Sequence, residues 1–383
     1  MALQFPAEEL GQRRVRAIAA MQREGFDALL IFRQESMYYL TGYDTFGYVF
    51  FQCFYLGADG RMMLLTRAPD RLQAKHTSVI DDVRIWVDAP DANPSAELRD
   101  ILEEFGCRGK RMGVEWDAYG LTARSGRRLG AALDGFCALA DASDIVNRLR
   151  LVKDQSELRY VRRAAELADD AFKEAVRLSR PGAFEGDILA AMHSIIYRGD
   201  GDDPANEFVI GSGPDAALCR YKTGRRRLSD RDQLTLEFAG VYRHYHVCLM
   251  RTFAIGEVDP RMVQLNGIAV DALLAAEAAL HPGHPLGDVF DAYARVVDEA
   301  GLGACRMNAS GYSLGATFAP NWMDWPMIFR GNSLEVKPGM VFFIPIVIVD
   351  PERGLAMTLG RTSEVTDNGS APLSKIGLDL VVR

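Results

Sequence analysis

The strongest constraint on the fold comes from two largely apolar segments that follow each other closely, residues 234–240 and 245–252. Runs of this length and composition predict two adjacent strands, joined here by a tight glycine-containing connection. Alternate residues of a strand point to the same side, so paired strands place side chains from both on one inner face. Glu237 and Cys248 are predicted to share such a face, which puts a carboxylate and a thiol inside a sheet.

Composition limits the kind of protein. With 383 residues, 48% of them hydrophobic and 25% charged, the chain is typical of a globular protein with two domains. The net charge of -8 at pH 7 argues against a nucleic-acid partner and against an anionic membrane surface. The one dense basic cluster, residues 225–227, is interpreted as a solvated loop.

The compartment is predicted from what the sequence lacks. The first residues show no basic, then apolar, then small-residue signal pattern, and instead predict an amphipathic helix. We expect no membrane-spanning helix, because inspection shows no run of roughly 18 apolar residues. The six cysteines are scattered without a CxxC pair, which is typical of reduced thiols. These features predict a cytoplasmic protein without a membrane partner.

The organisation changes near residue 145. Before it, strand and helix signals alternate, with helices predicted at 10–24 and 120–134, strands at 28–32 and 111–115, and a hairpin at 49–56 and 62–65. Alternation of this kind predicts an α/β domain with a mixed sheet over residues 1–145.

The chain after residue 145 has longer helices. Asp154 or Ser156 is positioned to cap a helix that runs to about Leu178. Further helices are predicted at 188–198, 260–279 and 286–301, with strands between and after them. Residues 146–383 are therefore predicted to form an α+β domain.

Four strings, in order along the chain, carry a resemblance to a known family. They are Tyr-Leu-Thr-Gly-Tyr at 39–43, Arg-Leu-Arg-Leu-Val-Lys-Asp-Gln-Ser-Glu at 148–157, the strand pair around Glu237 ending in Arg-Thr at 251–252, and Leu-Glu-Val-Lys-Pro-Gly-Met at 334–340. Each string is weak alone. Together they span most of the chain, which resembles the creatinase and Xaa-Pro aminopeptidase (pita-bread) family.

The resemblance implies an architecture. A small N-terminal α/β domain would precede an α+β pita-bread catalytic domain, with the active site inside a curved sheet. It also implies a homodimer in which the partner's small domain helps to close each site. Arg33, Tyr43 and Tyr48 are candidates to reach that neighbouring site.

The resemblance also bears on metal binding. Metallopeptidases of the family hold two divalent cations with two aspartates, a histidine and two glutamates, because hard cations need several carboxylates. By position, Glu237 and Cys248 replace the aspartates and Tyr312 replaces the histidine. Ile344 replaces the first late glutamate, and the last falls within residues 357–361, where no acid remains. We therefore expect no metal and no other cofactor.

Metal-independent branches of the family exist. Creatinase hydrolyses a guanidinium C–N bond, and ectoine hydrolase opens a cyclic amidine. Three strings favour ectoine hydrolase: Glu-Phe-Ala-Gly at 237–240, Tyr-His at 245–246, and Gly-Tyr-Ser-Leu-Gly at 311–315 followed by Pro-Asn-Trp at 320–322. Arg220 departs from the pattern, because creatinase-like sites have a histidine there, and their late glutamate has no counterpart in this chain.

The residues themselves suggest a mechanism. Amidine and guanidine carbons become better electrophiles when protonated, and a buried carboxylate can pair with that cation and attack it or activate water. Glu237 is the catalytic candidate, the alternative being an interior glutamate satisfied by Arg251 or a backbone amide. His246 is the candidate proton shuttle near neutral pH. It shares a face with His244, and at least one of the two is expected to be structural.

Several side chains are candidates for substrate binding. Arg220 and Tyr221 suit a substrate carboxylate, which arginine grips in a bidentate manner. Tyr312 suits a hydroxyl or carbonyl group and is the third catalytic candidate. Cys248 is expected in the pocket wall.

The loop after residue 315 adds further candidates. Trp322, Asp324 and Trp325 lie in a proline-bounded segment, where exposed aromatic rings beside an acid suit a small cation. Ordinary loop packing is the alternative for these three residues, and a surface loop arginine is the alternative for Arg220.

Three functions of different classes follow. The first is a metal-independent hydrolase of a non-peptide C–N bond in a small amidine- or guanidine-type molecule. The second is an Xaa-Pro-type metallopeptidase with an altered metal site. The third is a non-catalytic homologue that binds a small molecule. The sequence does not identify the substrate, and does not decide between a covalent adduct on Glu237 and water activation.

Overall fold

The fold is described from a computed structural model, over residues 3–218, 220 and 224–383. The chain divides into two compact units, Met1–Arg150 and Leu151–Arg383. The boundary predicted between residues 145 and 146 lies inside a helix, Ser143–Leu151, that runs up to this division.

The first unit alternates helices and strands. They are α1 (Ala7–Arg23), β1 (Ala28–Ile31), α2 (Gln34–Thr41), β2 (Cys53–Gly57), β3 (Met62–Arg67), α3 (Asp70–Thr77), β4 (Val83–Trp86), α4 (Pro94–Glu104), β5 (Arg111–Val114), α5 (Ala123–Leu133), β6 (Ala138–Asp141) and α6 (Ser143–Leu151). The six strands form one sheet in the order β4-β3-β2-β1-β5-β6. The pairs β1–β2 and β2–β3 are antiparallel and the others parallel, so the predicted mixed sheet is confirmed.

Strand β1 shows why this unit has three layers. Its side chains alternate between two apolar clusters, because successive residues of a strand point to opposite faces. Leu30 joins the cluster that contains Leu102 of α4 and Leu129 of α5. Leu29 joins the cluster that contains Met21 of α1 and Leu40 of α2. Helices therefore cover both faces of the sheet.

The second unit carries longer elements. They are α7 (Gln155–Leu178), α8 (Glu185–Arg198), β7 (Val209–Ser212), β8 (Asp232–Tyr242), β9 (Tyr245–Ile255), α9 (Pro260–Ala279), α10 (Gly287–Glu299), β10 (Ala309–Ser313), β11 (Asp324–Phe329), β12 (Val341–Asp350), β13 (Leu355–Thr366), β14 (Gly369–Pro372) and β15 (Val381–Val382). One sheet runs β11-β10-β12-β13-β9-β8-β7, with β14 beside β13 and β15 beside β9. Asp154 caps α7 in a capping box with Glu157, as its position in the sequence predicts.

Helices cover one face of this sheet. Ile344 and Ile346 of β12 pack in an apolar cluster with Leu273 of α9 and Phe290 of α10. Along α7, the ring of Phe172 meets that of Phe253 of β9 at 5.7 Å between centroids. The alternate residues of these strands point to the opposite face.

The hairpin of β8 and β9 differs in detail from its prediction. The strands are joined by Arg243 and His244, both with positive φ (51° and 65°), as a two-residue type I′ turn requires. The turn is therefore tight but contains no glycine. Gly240 instead lies within β8, where a Cβ atom would meet the Ala164 carbonyl of α7 at 2.0 Å. The glycine serves close helix–strand packing and not the turn.

Helix α9 is long and apolar enough to cross a membrane by length and composition alone. It nevertheless contains charged residues, among them Asp271 and Glu277, and no uninterrupted run of 18 apolar residues. On one side of the helix Leu265, Ala269, Leu273 and Ala276 are fully buried in the cluster against β12 and β13.

Candidate active site

Glu237 belongs to a row of cross-strand partners on the face of the second unit's sheet that the helices do not cover. Strand register places Val209 of β7 on one side of it and Met250 of β9 on the other. Met250 is paired in turn with Gly360 of β13, and Gly360 with Pro345 of β12. The carboxylate is therefore flanked by apolar side chains on both neighbouring strands.

Tyr312 of β10 reaches Glu237 from the far side of this face. Its hydroxyl donates to Glu237 Oε1 at 3.2 Å. Trp322 Nε1 donates in turn to the same hydroxyl oxygen at 2.9 Å. Tyr312 and Trp322 are both buried, at 5% and 1% exposure. An ordered chain of donors therefore ends on the carboxylate.

The environment tunes the acidity of Glu237. Burial raises its pKa to about 7, while the Tyr312 hydrogen bond and the positive charge of Arg220 act in the opposite direction. Burial, and then the nearby charge of Glu237, raise the pKa of Tyr312 well above its usual range, so the phenol stays protonated. Glu237 can thus exchange a proton near neutral pH while Tyr312 remains a donor.

These residues line a cavity of about 490 Å³. Four of the sequence-predicted site residues meet there: Glu237, Tyr312, Trp322 and Arg220. Tyr221, the predicted companion of Arg220, lies outside the described residues. One alternative for Glu237 was a structural pairing with Arg251. That pairing is wrong, because Arg251 donates to the carbonyls of Met250, Gly360 and Gly377 instead.

Cys248 lies beside this cavity but does not line it. Its side chain is fully buried, and burial followed by the charge of Glu237 raises the pKa of the thiol well above its usual value. Its backbone N–H donates to Thr362 Oγ1 at 3.0 Å. A fully buried, protonated thiol packs under the site and is poorly suited to touch a substrate, which corrects its predicted binding role.

His246 also lies away from the cavity lining. Its Nε2 accepts the backbone N–H of Ala205 at 2.9 Å, which leaves the proton on Nδ1, 2.7 Å from the His244 carbonyl. Thr317 Oγ1 lies 3.1 Å from the same Nδ1. Burial lowers the pKa of His246 to about 3, so the ring is neutral at physiological pH. The proton shuttle predicted for His246 is therefore replaced by a structural role.

The aromatic segment after residue 315 is more buried than predicted. Trp322 is inside the cavity wall, but Asp324 and Trp325 begin β11 and do not line the cavity. Trp325 packs against the apolar cluster under α9 and α10. Asp324 Oδ1 accepts the Trp325 backbone N–H at 2.9 Å. The cation-binding role predicted for Asp324 and Trp325 is thus not supported by their placement.

The sequence analysis missed the methionines of the site. Met250, Met307, Met323 and Met327 all line the cavity. Strand alternation contains the signal for one of them, since Met250 lies two residues after Cys248 and so on the same face. Met327 is placed by the pairing of β11 with β10, and Met307 and Met323 lie in irregular segments just before these strands, which a single sequence does not reveal.

The residues at the family's metal positions do not fit a pair of divalent cations. Glu237 offers one carboxylate, while Tyr312 and Cys248 offer a protonated phenol and a protonated thiol. Ile344, which was expected to replace the first late glutamate, packs under the helices, and its neighbour Pro345 lines the cavity. Across residues 3–218, 220 and 224–383, no three His, Cys, Asp or Glu side chains group as a metal site would require.

Known families match both units. Metallopeptidase family M24 matches residues 159–367, and the creatinase/prolidase N-terminal domain matches residues 13–152. The fold and these matches define the class as a hydrolase of family M24, and the chain belongs to that family. The predicted membership and the pita-bread fold are confirmed.

Individual relatives extend over the whole chain. The chain is 28% identical to the uncharacterized hydrolase/peptidase y4tM of Sinorhizobium fredii, covering 100% of this chain and 99% of the relative. It is 26% identical to ectoine hydrolase of Halomonas elongata, with the same coverage. The crystal structure of dipeptidase PepE from Mycobacterium ulcerans superposes with a TM-score of 0.85 at 25% identity, covering 99% of each chain.

Proposed function

We propose that the protein hydrolyses a C–N bond in a small amidine- or guanidine-type molecule, with Glu237 as the catalytic carboxylate and without a bound metal. The observation that carries this proposal is the single carboxylate in the apolar row, hydrogen-bonded by Tyr312 and facing a cavity. The similarity to ectoine hydrolase supports the same class of substrate.

The local charges favour a cationic substrate. An amidinium ion that enters the cavity replaces water around Glu237 with a positive charge, which favours the ionised carboxylate. The same ion has an electrophilic carbon bonded to the nitrogen that will leave. Because Tyr312 donates to Oε1, the second oxygen of Glu237 is free of that hydrogen bond and is the one assigned to the reaction.

The reaction then balances without further reagents. The oxygen of a water molecule bonds to the amidinium carbon while Glu237 accepts one proton from that water. The C–N bond of the tetrahedral adduct breaks, and the proton held by Glu237 passes to the departing nitrogen. As the carbonyl forms, the hydroxyl group of the adduct loses its proton to the released amine. The products are therefore an amide from an amidine, or a urea from a guanidine, and a protonated amine or ammonium, and Glu237 returns to its ionised form. A carboxyl group with a pKa of about 7 suits this exchange near neutral pH.

A substrate screen tests the proposal. Purified protein is incubated with a cyclic amidine of the ectoine type, with creatine, and with an Xaa-Pro dipeptide, each with and without a metal chelator. Mass spectrometry should detect a ring-opened product one water heavier than the cyclic amidine, or a urea and an amine from creatine, unaffected by the chelator. Cleavage of the dipeptide alone, restored only by a divalent cation, would overturn the proposal.

Peptide hydrolysis is the second candidate function. The structural likeness to dipeptidase PepE favours it, because that enzyme shares the fold over the full length of the chain. The donor set around Glu237 opposes it, since one carboxylate beside a phenol and a thiol is a poor binding site for hard cations. If a compound in the screen binds but is not converted, the result favours the third candidate, a non-catalytic binding protein.

A further inference from the structure

Glu237 and Tyr312, which are hydrogen-bonded to each other in the cavity, each have a methionine as one cross-strand partner. Met250 of β9 is paired with Glu237 of β8. Met327 of β11 is paired with Tyr312 of β10. Directly opposed residues in antiparallel strands have Cβ atoms about 4.5–5.5 Å apart. A group bound to the Glu237 carboxylate therefore lies within reach of methionine side chains.

The remaining walls are mixed, since the polar side chains of Asn206, Asn308 and Asn321 line the cavity beside further apolar ones. Met307, Met323, Val209 and Val347 line the same cavity. Of the described lining residues, the charged ones besides Glu237 are Glu207 and Arg220, and both are exposed. Met250, by contrast, is 1% exposed. Met307 and Met327 are exposed like the two charged residues, so the fully buried apolar surface next to the carboxylate is that of Met250.

We propose that the substrate is an amidine or guanidine that carries an apolar substituent, an alkyl chain or a ring, and that Met250, Met307, Met323 and Met327 bind this substituent. The inference rests on the proposed function, because it takes the amidinium group to be the part held by Glu237. The four residues are called the methionine wall below.

The size and chemistry of the cavity support an apolar substituent. Pockets of roughly 300–1,000 Å³ hold ligands with many heavy atoms, and the present cavity measures about 490 Å³. A bare amidinium group would leave most of that space to water, part of it in contact with the methionine and valine side chains. Methionine is unbranched and polarisable, so it packs against irregular alkyl groups and against ring edges.

A second charged group is disfavoured at the same place. An ionised group buried against thioether and methylene surface loses its hydration without gaining a partner. Arg220 and Glu207 are available to such a group only near the exposed rim. The methionine wall therefore selects a substituent that is apolar where it adjoins the amidine.

A homologous series of ligands tests the wall. Binding of acetamidine, butanamidine, hexanamidine and benzamidine is measured by titration calorimetry at pH 8, where Glu237 is largely ionised. We expect affinity to rise roughly threefold for each added methylene group that the wall covers. Hexanamide, the neutral analogue, should bind at least roughly tenfold more weakly than hexanamidine, because it lacks the charge that pairs with Glu237. Ammonia release is followed in parallel.

A matched pair of variants locates the effect. Met327 is 37% exposed, so the fold should tolerate substitution there. Met327→Gln introduces a polar amide of similar length and should reduce the hexanamidine-to-acetamidine affinity ratio at least roughly threefold. Met327→Leu keeps the apolar surface and should largely preserve that ratio. Met307→Gln, at a position 36% exposed, replaces Met327→Gln if the latter fails to fold.

The outcomes separate the two proposals. Equal affinity along the series, or an unchanged ratio in the glutamine variant that folds, overturns the methionine wall. Affinity that rises along the series without ammonia release supports the wall and overturns the hydrolase. Equal binding of hexanamide and hexanamidine overturns the pairing of a cationic group with Glu237.

Discussion

The hydroxyl of Tyr312 donates to Oε1 of Glu237 at 3.2 Å, across 75 positions of the chain. A hydrogen-bond donor from a distant strand therefore acts on the carboxylate that faces the cavity. Because Trp322 Nε1 donates to the same oxygen at 2.9 Å, the one proton of Tyr312 is directed towards Glu237.

The first prediction concerns this donor chain. Trp322→Phe removes the indole N–H, so Tyr312 becomes a weaker and less well oriented donor and the charged form of Glu237 loses stabilisation. The pKa of Glu237 should rise above its value of about 7, by a few tenths to about one unit. The limb of the pH profile of kcat/KM that reports Glu237 should move to higher pH. Tyr312→Phe should move it further.

Trp325→Phe is the control for that experiment. Trp325 packs against the apolar cluster under the helices and does not line the cavity. If Trp325→Phe only disturbs packing, kcat/KM should fall while the limb of the pH profile that reports Glu237 stays at the same pH. An identical limb in Trp322→Phe and wild type would show that the donor chain does not tune Glu237.

The second prediction concerns the carboxylate. Glu237→Gln keeps the volume of the side chain and removes its charge. Turnover should fall at least about 100-fold, the usual scale for a positioned acid–base group, with the circular dichroism spectrum unchanged. Glu335→Gln, at an exposed glutamate of the same unit, is the matched control and should keep wild-type turnover.

Cys248→Ser separates two possible nucleophiles. The thiol is fully buried and protonated, so this variant should cost far less activity than Glu237→Gln. Loss of turnover in Cys248→Ser with retention in Glu237→Gln would assign the chemistry to sulfur.

Local patterns were enough to predict much of this site. The strand pair, the capped helix α7 and the position of Glu237 on an inner face all follow from residues that are close in sequence. The residues that surround Glu237 do not. Val209, Gly360 and Pro345 reach the same row only through the pairing of strands β7, β8, β9, β13 and β12.

His246 shows a second limit of prediction from sequence. Its alternation with Cys248 correctly placed it on the same face, but its chemistry depends on the Ala205 backbone N–H, which donates to Nε2 at 2.9 Å. Such a bond comes from an irregular segment without a recognisable pattern. Burial and that donor together make a neutral structural histidine out of a candidate proton shuttle.

The third prediction concerns metal content. Because a single carboxylate, a phenol and a thiol form a poor donor set for hard cations, purified protein should carry no stoichiometric manganese, cobalt, zinc or iron. Elemental analysis by mass spectrometry measures this directly, and chelator treatment should leave turnover intact. About two metal ions per chain would contradict it and would favour peptide hydrolysis.

The fourth prediction concerns assembly. The first unit exposes three neighbouring apolar side chains, with Phe46 at 80%, Val49 at 60% and Phe50 at 46% exposure. A patch of this kind is typical of a protein interface, and we expect a homodimer that covers it. Light scattering at micromolar concentration should give twice the mass of one chain, and Phe46→Asp should shift the measured mass towards that of a single chain. Val15→Asp, at an exposed position of α1, is the control; a monomeric wild type would count against the interface.

The last prediction links the site to stability. The pKa of Glu237 is about 7 in the folded protein, against 4.5 for an unperturbed glutamate. Between these values the folded state binds more protons than the unfolded state, so the contribution of Glu237 to the free energy of unfolding falls as pH rises from 4.5 to 7. This contribution is fully present below the pKa of the unfolded state and fully lost above the pKa of the folded state.

Glu237→Gln removes this titration and should therefore be more stable than wild type above pH 7. The gain is on the order of 1–3 kcal/mol, reduced by the partial access of solvent to the carboxylate through the cavity. Urea unfolding at pH 5 and pH 8 gives the free energy of unfolding of the variant and of wild type. Their difference measures the gain, because the titration of all other groups cancels in it. A difference that does not grow with pH would show that Glu237 ionises as an ordinary glutamate, and would remove the physical basis for its role as the base.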